Sequence, residues 1–458
     1  MKKIFRTILG GAFLLSLPMF LTSCQDILGE WDKPAPVNVT PETPSTPAAD
    51  HSNQYIKYTS ATDSSYVNIE GATEWTGTVT PGDVAAGTYV VSGTATCAGQ
   101  LVLKGEVNII LKDGAKLTVD DGITYDITNN VGSLNIFGQG ISSSMGQLIV
   151  NNNTPVDFGG GTEASAILAK GLSIHGGKVN ATADTGGTAA DLGGKGLEIS
   201  GNIYIYNGLI TATATNSQMG IIYSAAAIGS INILGGEVYA YSPGGQGIST
   251  SNAGDELNIS GGKVTAKDTS GGGEGINCNI INITGGTVIA ENGAGGQPAI
   301  TCIDITISGA NTEVTATGGN GDGTNGPSMG IAATNITIDN GTVIAIGGSA
   351  DASDATNKNG ADAINALDWT SGWPPASGDF KVNGGSLTAT GGAKGAGGVD
   401  GKALFNDTGL GYSTKVVVAT GLTYYENNAG DPSTAPLVTT PGDGTTQIVC
   451  GNRYVEIK

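Results

Sequence analysis

The sequence predicts an all-β fold, a right-handed parallel β-helix with terminal capping strands, and three observations carry that prediction. Gly supplies 76 of 458 residues while aromatics are 5%, a bias that disfavours helical or α/β cores and favours a repeat architecture. From residue 166 onward one unit recurs: a small residue plus an aliphatic, an alternating strand, a Gly-rich corner and a second alternating strand. Within each strand the apolar residues share one parity, which sends them inside and their neighbours to solvent.

Ile276 to Ala290 shows the unit best. Gly275-Ile276 leads to Ile281-Asn282-Ile283-Thr284-Gly285-Gly286 and then to Val288-Ile289-Ala290. The same order returns around Ile174-His175-Gly176-Gly177, Ile233-Leu234-Gly235-Gly236, Ile259-Ser260-Gly261-Gly262, Ile338-Asp339-Asn340-Gly341 and Val382-Asn383-Gly384-Gly385, with a degenerate copy at Ile205-Tyr206-Asn207-Gly208. First strands place Leu172/Ile174, Ile231/Ile233, Leu257/Ile259, Ile281/Ile283, Ile305/Ile307 and Ile336/Ile338 inward. Second strands place Val179/Ala181, Val238/Ala240, Val264/Ala266, Val288/Ala290, Val343/Ala345 and Leu387/Ala389 there. The corners take Gly or Asn because φ turns positive. A β-sandwich also alternates, but it does not repeat the same aliphatics at the same offsets from the same Gly pair. Right-handedness follows from the general rule for parallel crossovers, not from these residues.

The N-terminus reads as an export signal. Lys2, Lys3 and Arg6 precede an apolar stretch from Ile8 to Leu21, too short for a stable membrane span. Leu21-Thr22-Ser23-Cys24 resembles the lipobox of bacterial lipoproteins, which implies a signal peptide over 1–23 and lipid attachment at Cys24. Residues 24–54 form a tether, with Pro34, Pro36, Pro41, Pro44 and Pro47 among Thr, Ser and Ala. Residues 55–132, with Tyr89-Val90-Val91, Val107 to Leu111 and Leu117 to Val119, are expected to form an N-terminal β cap and first coils. The β-helix proper is expected over 133–412 and a C-terminal β cap over 413–458, where Val416 to Val418 and Tyr454 to Ile457 would close the stack.

Charge narrows the partners. Loss of residues 1–23 removes three cations and no acid, taking the net charge from −20 to −23. Nucleic acid is excluded as a partner, since phosphate binding needs a basic face. Ca²⁺ and neutral or cation-bridged ligands remain.

Cys278 and Cys302 share one offset before Ile283 and Ile307, so they are expected to stack on successive coils, either as two core thiols or as a disulfide pair. His175, at an outward position beside a corner, reads as solvated surface, and no zinc spacing exists. Loops after the second strands carry Asp184, Asp191, Asp268, Glu274, Glu291, Asp322, Asp351, Asp354, Asp362 and Asp400. Gly-rich carboxylate loops suit Ca²⁺, although for any single residue plain solubility charge is the readier reading.

Gly87-Thr88-Tyr89-Val90-Val91-Ser92-Gly93 and Val107 to Val119, followed by Glu274-Gly275-Ile276-Asn277 and Asp362-Ala363-Ile364-Asn365, resemble the bacterial carbohydrate-binding β-helix family related in fold to pectate lyases. The resemblance spans about residues 75 to 405. It implies binding of acidic plant polysaccharide such as polygalacturonate, with calcium held at Glu274 and Asp362. Gln246, Gln297 and Ser328 occupy the approximate equivalent in other coils. Trp369 and Trp373, within Asp368-Trp369-Thr370-Ser371-Gly372-Trp373-Pro374-Pro375, offer flat faces to sugar rings or anchors for their own loop.

The expected function is therefore a non-catalytic polysaccharide-binding lipoprotein of the outer membrane or cell surface, with or without calcium assistance, touching the membrane through its lipid. A structural or adhesive surface spacer and a polysaccharide lyase or glycoside hydrolase are the alternatives. A lyase base is commonly Arg, and the chain holds only Arg6 and Arg453, with Lys178, Lys263 and Lys267 left as substitutes. Hydrolysis needs two carboxylates at a set separation, which the sequence leaves open.

Overall fold

The computed structural model describes residues 51–140, 144–152, 156–157, 162–184, 194–215, 219–223, 228–352, 356–368, 375–407, 412–429 and 438–458. The repeat folds as predicted into a β-helix whose coils each contribute a leading, a middle and a trailing strand. In one coil these are Ile276–Asn277, Ile280–Ile283 and Thr287–Glu291. Counterpart strands of neighbouring coils pair in parallel, which builds three long faces, the leading, middle and trailing sheets, and in Ile300–Ile307 and Ile331–Ile338 the leading and middle strands run on as one.

Register explains the sequence periodicity. In the middle sheet Leu257 stands opposite Ile281, Ile281 opposite Ile305 and Ile305 opposite Ile336. The trailing sheet aligns Val264, Val288, Val314 and Val343. The leading sheet aligns Ile248, Ile276, Ile300, Ile331 and Ile364. Like therefore stacks on like, and these side chains are buried. Each buried Ile or Val contributes roughly 1.5–3 kcal/mol, so one core runs the length of the stack.

The second glycine of each corner pair is required by geometry. Gly286 has φ +83°, and a Cβ there would lie 2.5 Å from the carbonyl oxygen of Gly262 in the preceding coil. Outside the middle sheet, asparagines stack as well. Asn258 Nδ2 donates to Asn232 Oδ1 at 3.2 Å, and Asn282 Nδ2 donates to Asn258 Oδ1 at 2.9 Å.

The coil register already begins at Thr73–Thr78, which lies parallel to the first half of the long strand Gly87–Cys97 and, after a shift between Trp75 and Gly77, to its second half. Before it, Gln54–Tyr58 and Ser64–Asn68 form an antiparallel hairpin that, among the described residues, is a separate two-stranded sheet. At the other end, Lys415–Val418 extends the middle sheet in parallel, whereas Gln447–Val449 and Tyr454–Ile457 pair antiparallel. That reversal ends the parallel stack and covers its edge.

The hairpin corrects the surface reading of His175. Its ring is buried between Phe137 and Tyr206, each at 4.6 Å and 7°. The three residues follow the inward Ile136, Ile174 and Ile205 on successive coils, so they form one outward column. Val90 and Ile110 continue the column toward the N-terminus. The hairpin covers it, with Tyr55 against Phe137 at 4.7 Å. Asn207 Nδ2 donates to the Tyr58 hydroxyl at 2.7 Å, and Gln139 Nε2 donates to the carbonyls of His51, Ser52 and Gln54 at 3.2, 2.9 and 2.9 Å.

Candidate functional site

The loop edge beside the leading sheet carries the carboxylates singled out in the sequence, and the structure gives them unequal tasks. Asp268 is wholly buried. Its Oδ1 accepts the N–H of Gly244 at 2.6 Å and of Ser270 at 3.0 Å, while Oδ2 accepts Gly273 N–H at 3.0 Å. This carboxylate staples two neighbouring loops. Asp322 closes its own turn by accepting from Thr324 and Asn325 N–H at 2.9 and 2.7 Å, bonds that hold its pKa below the usual carboxylate range. Glu291 pairs with Lys267 at 2.7 Å.

Glu274 is buried as well. Gln246 Nε2 donates to its Oε2 at 3.0 Å and Asn277 Nδ2 donates to its Oε1 at 3.1 Å, so each oxygen already serves an amide. Gln246 and Glu274 each precede by two residues a paired isoleucine, Ile248 and Ile276. The carboxylate thus stitches one coil to the next.

Asp362 occupies the same column, two residues before Ile364. The coils of Ile300 and Ile331 lie between it and Glu274, which sets the two carboxylates about 14 Å apart at the usual strand spacing. They cannot share one ion. Among the described residues no three His, Cys, Asp or Glu side chains converge as a ready-made metal centre.

Asp362 differs from Glu274 in lining a cleft. Its Oδ1 accepts the backbone N–H of Lys402 at 2.5 Å, and burial pushes its pKa up against the opposing pull of Lys402. The cleft measures about 320 Å³ and is walled by Thr356, Asn357, Lys358 and Asn359, with Met329 and Pro327 as its apolar part. Among the described lining residues, Asp362 is the one carboxylate. Such a mixture of amides, a hydroxyl, one acid and one amine over a small apolar patch suits a polyhydroxylated ligand.

Trp369 and Trp373 lie outside the described residues, as does Cys24. The segments that flank the tryptophans, Leu367–Asp368 and Ala376–Ser377, pair antiparallel, the first of them being the end of the strand Ile364–Asp368 that follows Asp362. Cys278 and Cys302 stack on adjacent coils as expected, through the neighbouring pair Asn277 and Thr301. Both are free thiols, and burial pushes Cys278 up to about 12.

Two outward features escaped sequence reasoning. Tyr239 and Tyr241 stand side by side on the trailing sheet, rings 6.3 Å apart and 16° from parallel. On the leading sheet, Lys195 Nζ meets Glu198 Oε1 at 3.0 Å in a buried pair, with the Ser165 hydroxyl donating to Glu198 at 2.5 Å. A Tyr or Glu between inward aliphatics was the available signal. Comparison of the chain with protein-family models, curated proteins and solved structures finds no match.

Proposed function

We propose that this chain is a non-catalytic polysaccharide-binding lipoprotein, held through Cys24 at the outer membrane or cell surface, and that the Asp362 cleft receives an acidic plant glycan such as polygalacturonate. The observation that supports this most is the cleft itself: an elongated stack places amides, a hydroxyl, Lys358 and a lone carboxylate at an open edge where a polymer can lie.

Calcium enters this reading only at Asp362, because the Glu274 oxygens are engaged by Gln246 and Asn277. A Ca²⁺ ion needs six to eight oxygens, of which Asp362 offers one carboxylate and the cleft amides, backbone carbonyls, water and the uronate would supply the rest. The ion would offset repulsion between the uronate and a processed chain whose net charge, with three cations lost from −20, is −23. A binder is favoured over an enzyme by two features. Asp362 has no second carboxylate beside it among the described lining residues, and the Arg453 guanidinium is spent on the Gly391 carbonyl at 2.9 Å.

Affinity electrophoresis in polygalacturonate gels, with Ca²⁺ and with EDTA, tests the proposal. Retardation without release of fragments is expected, weaker in EDTA. Unretarded migration in both would remove the reading, and fragment release would favour the enzyme.

A further inference from the structure

Among the described residues, the first strand of the solenoid, Thr73–Thr78, pairs on one side only, with Gly87–Cys97. Beside it lies a depression of about 270 Å³ whose walls include Glu74, Trp75, Thr76, Thr78, Asp83 and Tyr89. Trp75 and Tyr89 are half-buried, and their rings meet at 4.5 Å and 31°. The Tyr89 hydroxyl donates to the Ala85 carbonyl at 2.9 Å, which fixes that ring in place. Glu74 accepts the Ser92 hydroxyl, and Asp83 faces Lys104 Nζ at 3.1 Å while remaining largely exposed.

We infer that this end pocket binds one neutral pyranose unit of a polysaccharide, stacked on Trp75 and Tyr89 and hydrogen-bonded by Glu74, Asp83 and the threonine hydroxyls. An aromatic face complements the C–H face of a pyranose, and carboxylates and hydroxyls accept from its O–H groups. Two carboxylates in so small a space disfavour a uronate, whose own charge has no cation there except Lys104, already shared by Asp83 and Asp126. A peptide strand added to the open edge is the competing occupant. The register shift between Trp75 and Gly77, where φ of Gly77 is +63°, breaks the continuous edge that a strand would need. The inference rests on the polysaccharide reading for its ligand class, but it uses a separate site and a different sugar.

The test is isothermal titration of the full chain with neutral glucan, mannan and galactan hexasaccharides and, separately, with oligogalacturonate. At least one neutral hexasaccharide is expected to bind without Ca²⁺ and not to displace oligogalacturonate. Trp75→Ala is expected to weaken it at least tenfold, Asp83→Asn several-fold, and Trp75→Phe less than Trp75→Ala. If Trp75→Ala melts early, the exposed Asp83→Asn change decides. Absence of neutral binding, or neutral binding unaltered by Asp83→Asn and by whichever Trp75 variants remain folded, overturns the inference. Neutral binding without oligogalacturonate binding would overturn the cleft reading and leave this one standing.

Discussion

The backbone N–H of Tyr58 donates to Nδ1 of His175 at 3.1 Å, joining residues 117 apart in sequence. This bond and the aromatic sandwich around it fasten the N-terminal hairpin to the flank of the solenoid. The imidazole must be neutral for Nδ1 to accept. Burial, with the nearby Lys57 charge adding to it, lowers its pKa from 6.5 to about 4.

That shift gives docking a pH dependence of definite sign. A histidine whose folded pKa is depressed binds its proton more readily when released, so the stabilisation is complete above about 6.5 and is lost as pH falls toward about 4. The loss is on the order of 2–3 kcal/mol. The protection factor of the Tyr58 amide, its exchange rate relative to the intrinsic rate at each pH, should fall as pH drops from about 6.5 toward about 4. An NMR titration of His175 with an ordinary midpoint near 6.5 would contradict the docked arrangement.

The core prediction separates inward from outward positions. Ile283 is fully buried, so Ile283→Asp places an unpaired charge inside the stack and should cost more than about 4 kcal/mol. Asn282→Asp removes only the donor to Asn258 Oδ1 and should cost about 1 kcal/mol. Urea melts giving equal losses would refute the parity.

Asp268 should behave as a staple and not as a cation ligand. Asp268→Ala strips the N–H groups of Gly244, Ser270 and Gly273 of their acceptor, at a cost of about 2–4 kcal/mol. Thermal melts should show the same loss with Ca²⁺ and with EDTA. A deficit confined to calcium-containing buffer would assign Asp268 to a metal instead.

Anchoring is tested by Cys24→Ala, which should release the protein from the membrane fraction or leave it unprocessed, since acyl chains are the proposed membrane contact. Mutant protein still in the membrane fraction would count against the lipid anchor.

The inward columns were legible because period-two alternation and the corner glycines are local signals. Ile281, Ile283, Val288 and Ala290 follow from a short stretch of sequence and are buried in the fold. His175 was not legible, because an outward position is polar or aromatic according to what a distant segment lays over it. A trace existed: the residue after the inward aliphatic is Phe137, His175, Tyr206 and Leu234 in consecutive coils, then Ser260, Thr284 and Ser308. The aromatic run coincides with the hairpin. Among the loop carboxylates, sequence could not separate Asp268, turned onto backbone N–H groups, from Asp362, which lines a cleft. That difference lies in loop geometry, to which glycine-rich segments contribute few side-chain cues.

The most direct measurement of the central claim is calorimetric titration of oligogalacturonate into the wild type and into Asp362→Asn, each with Ca²⁺ and with EDTA. The account predicts saturable binding by the wild type that weakens in EDTA, and a loss of roughly tenfold in Asp362→Asn, about 1.4 kcal/mol. Asp362→Asn binding equal to wild type under both conditions would contradict it.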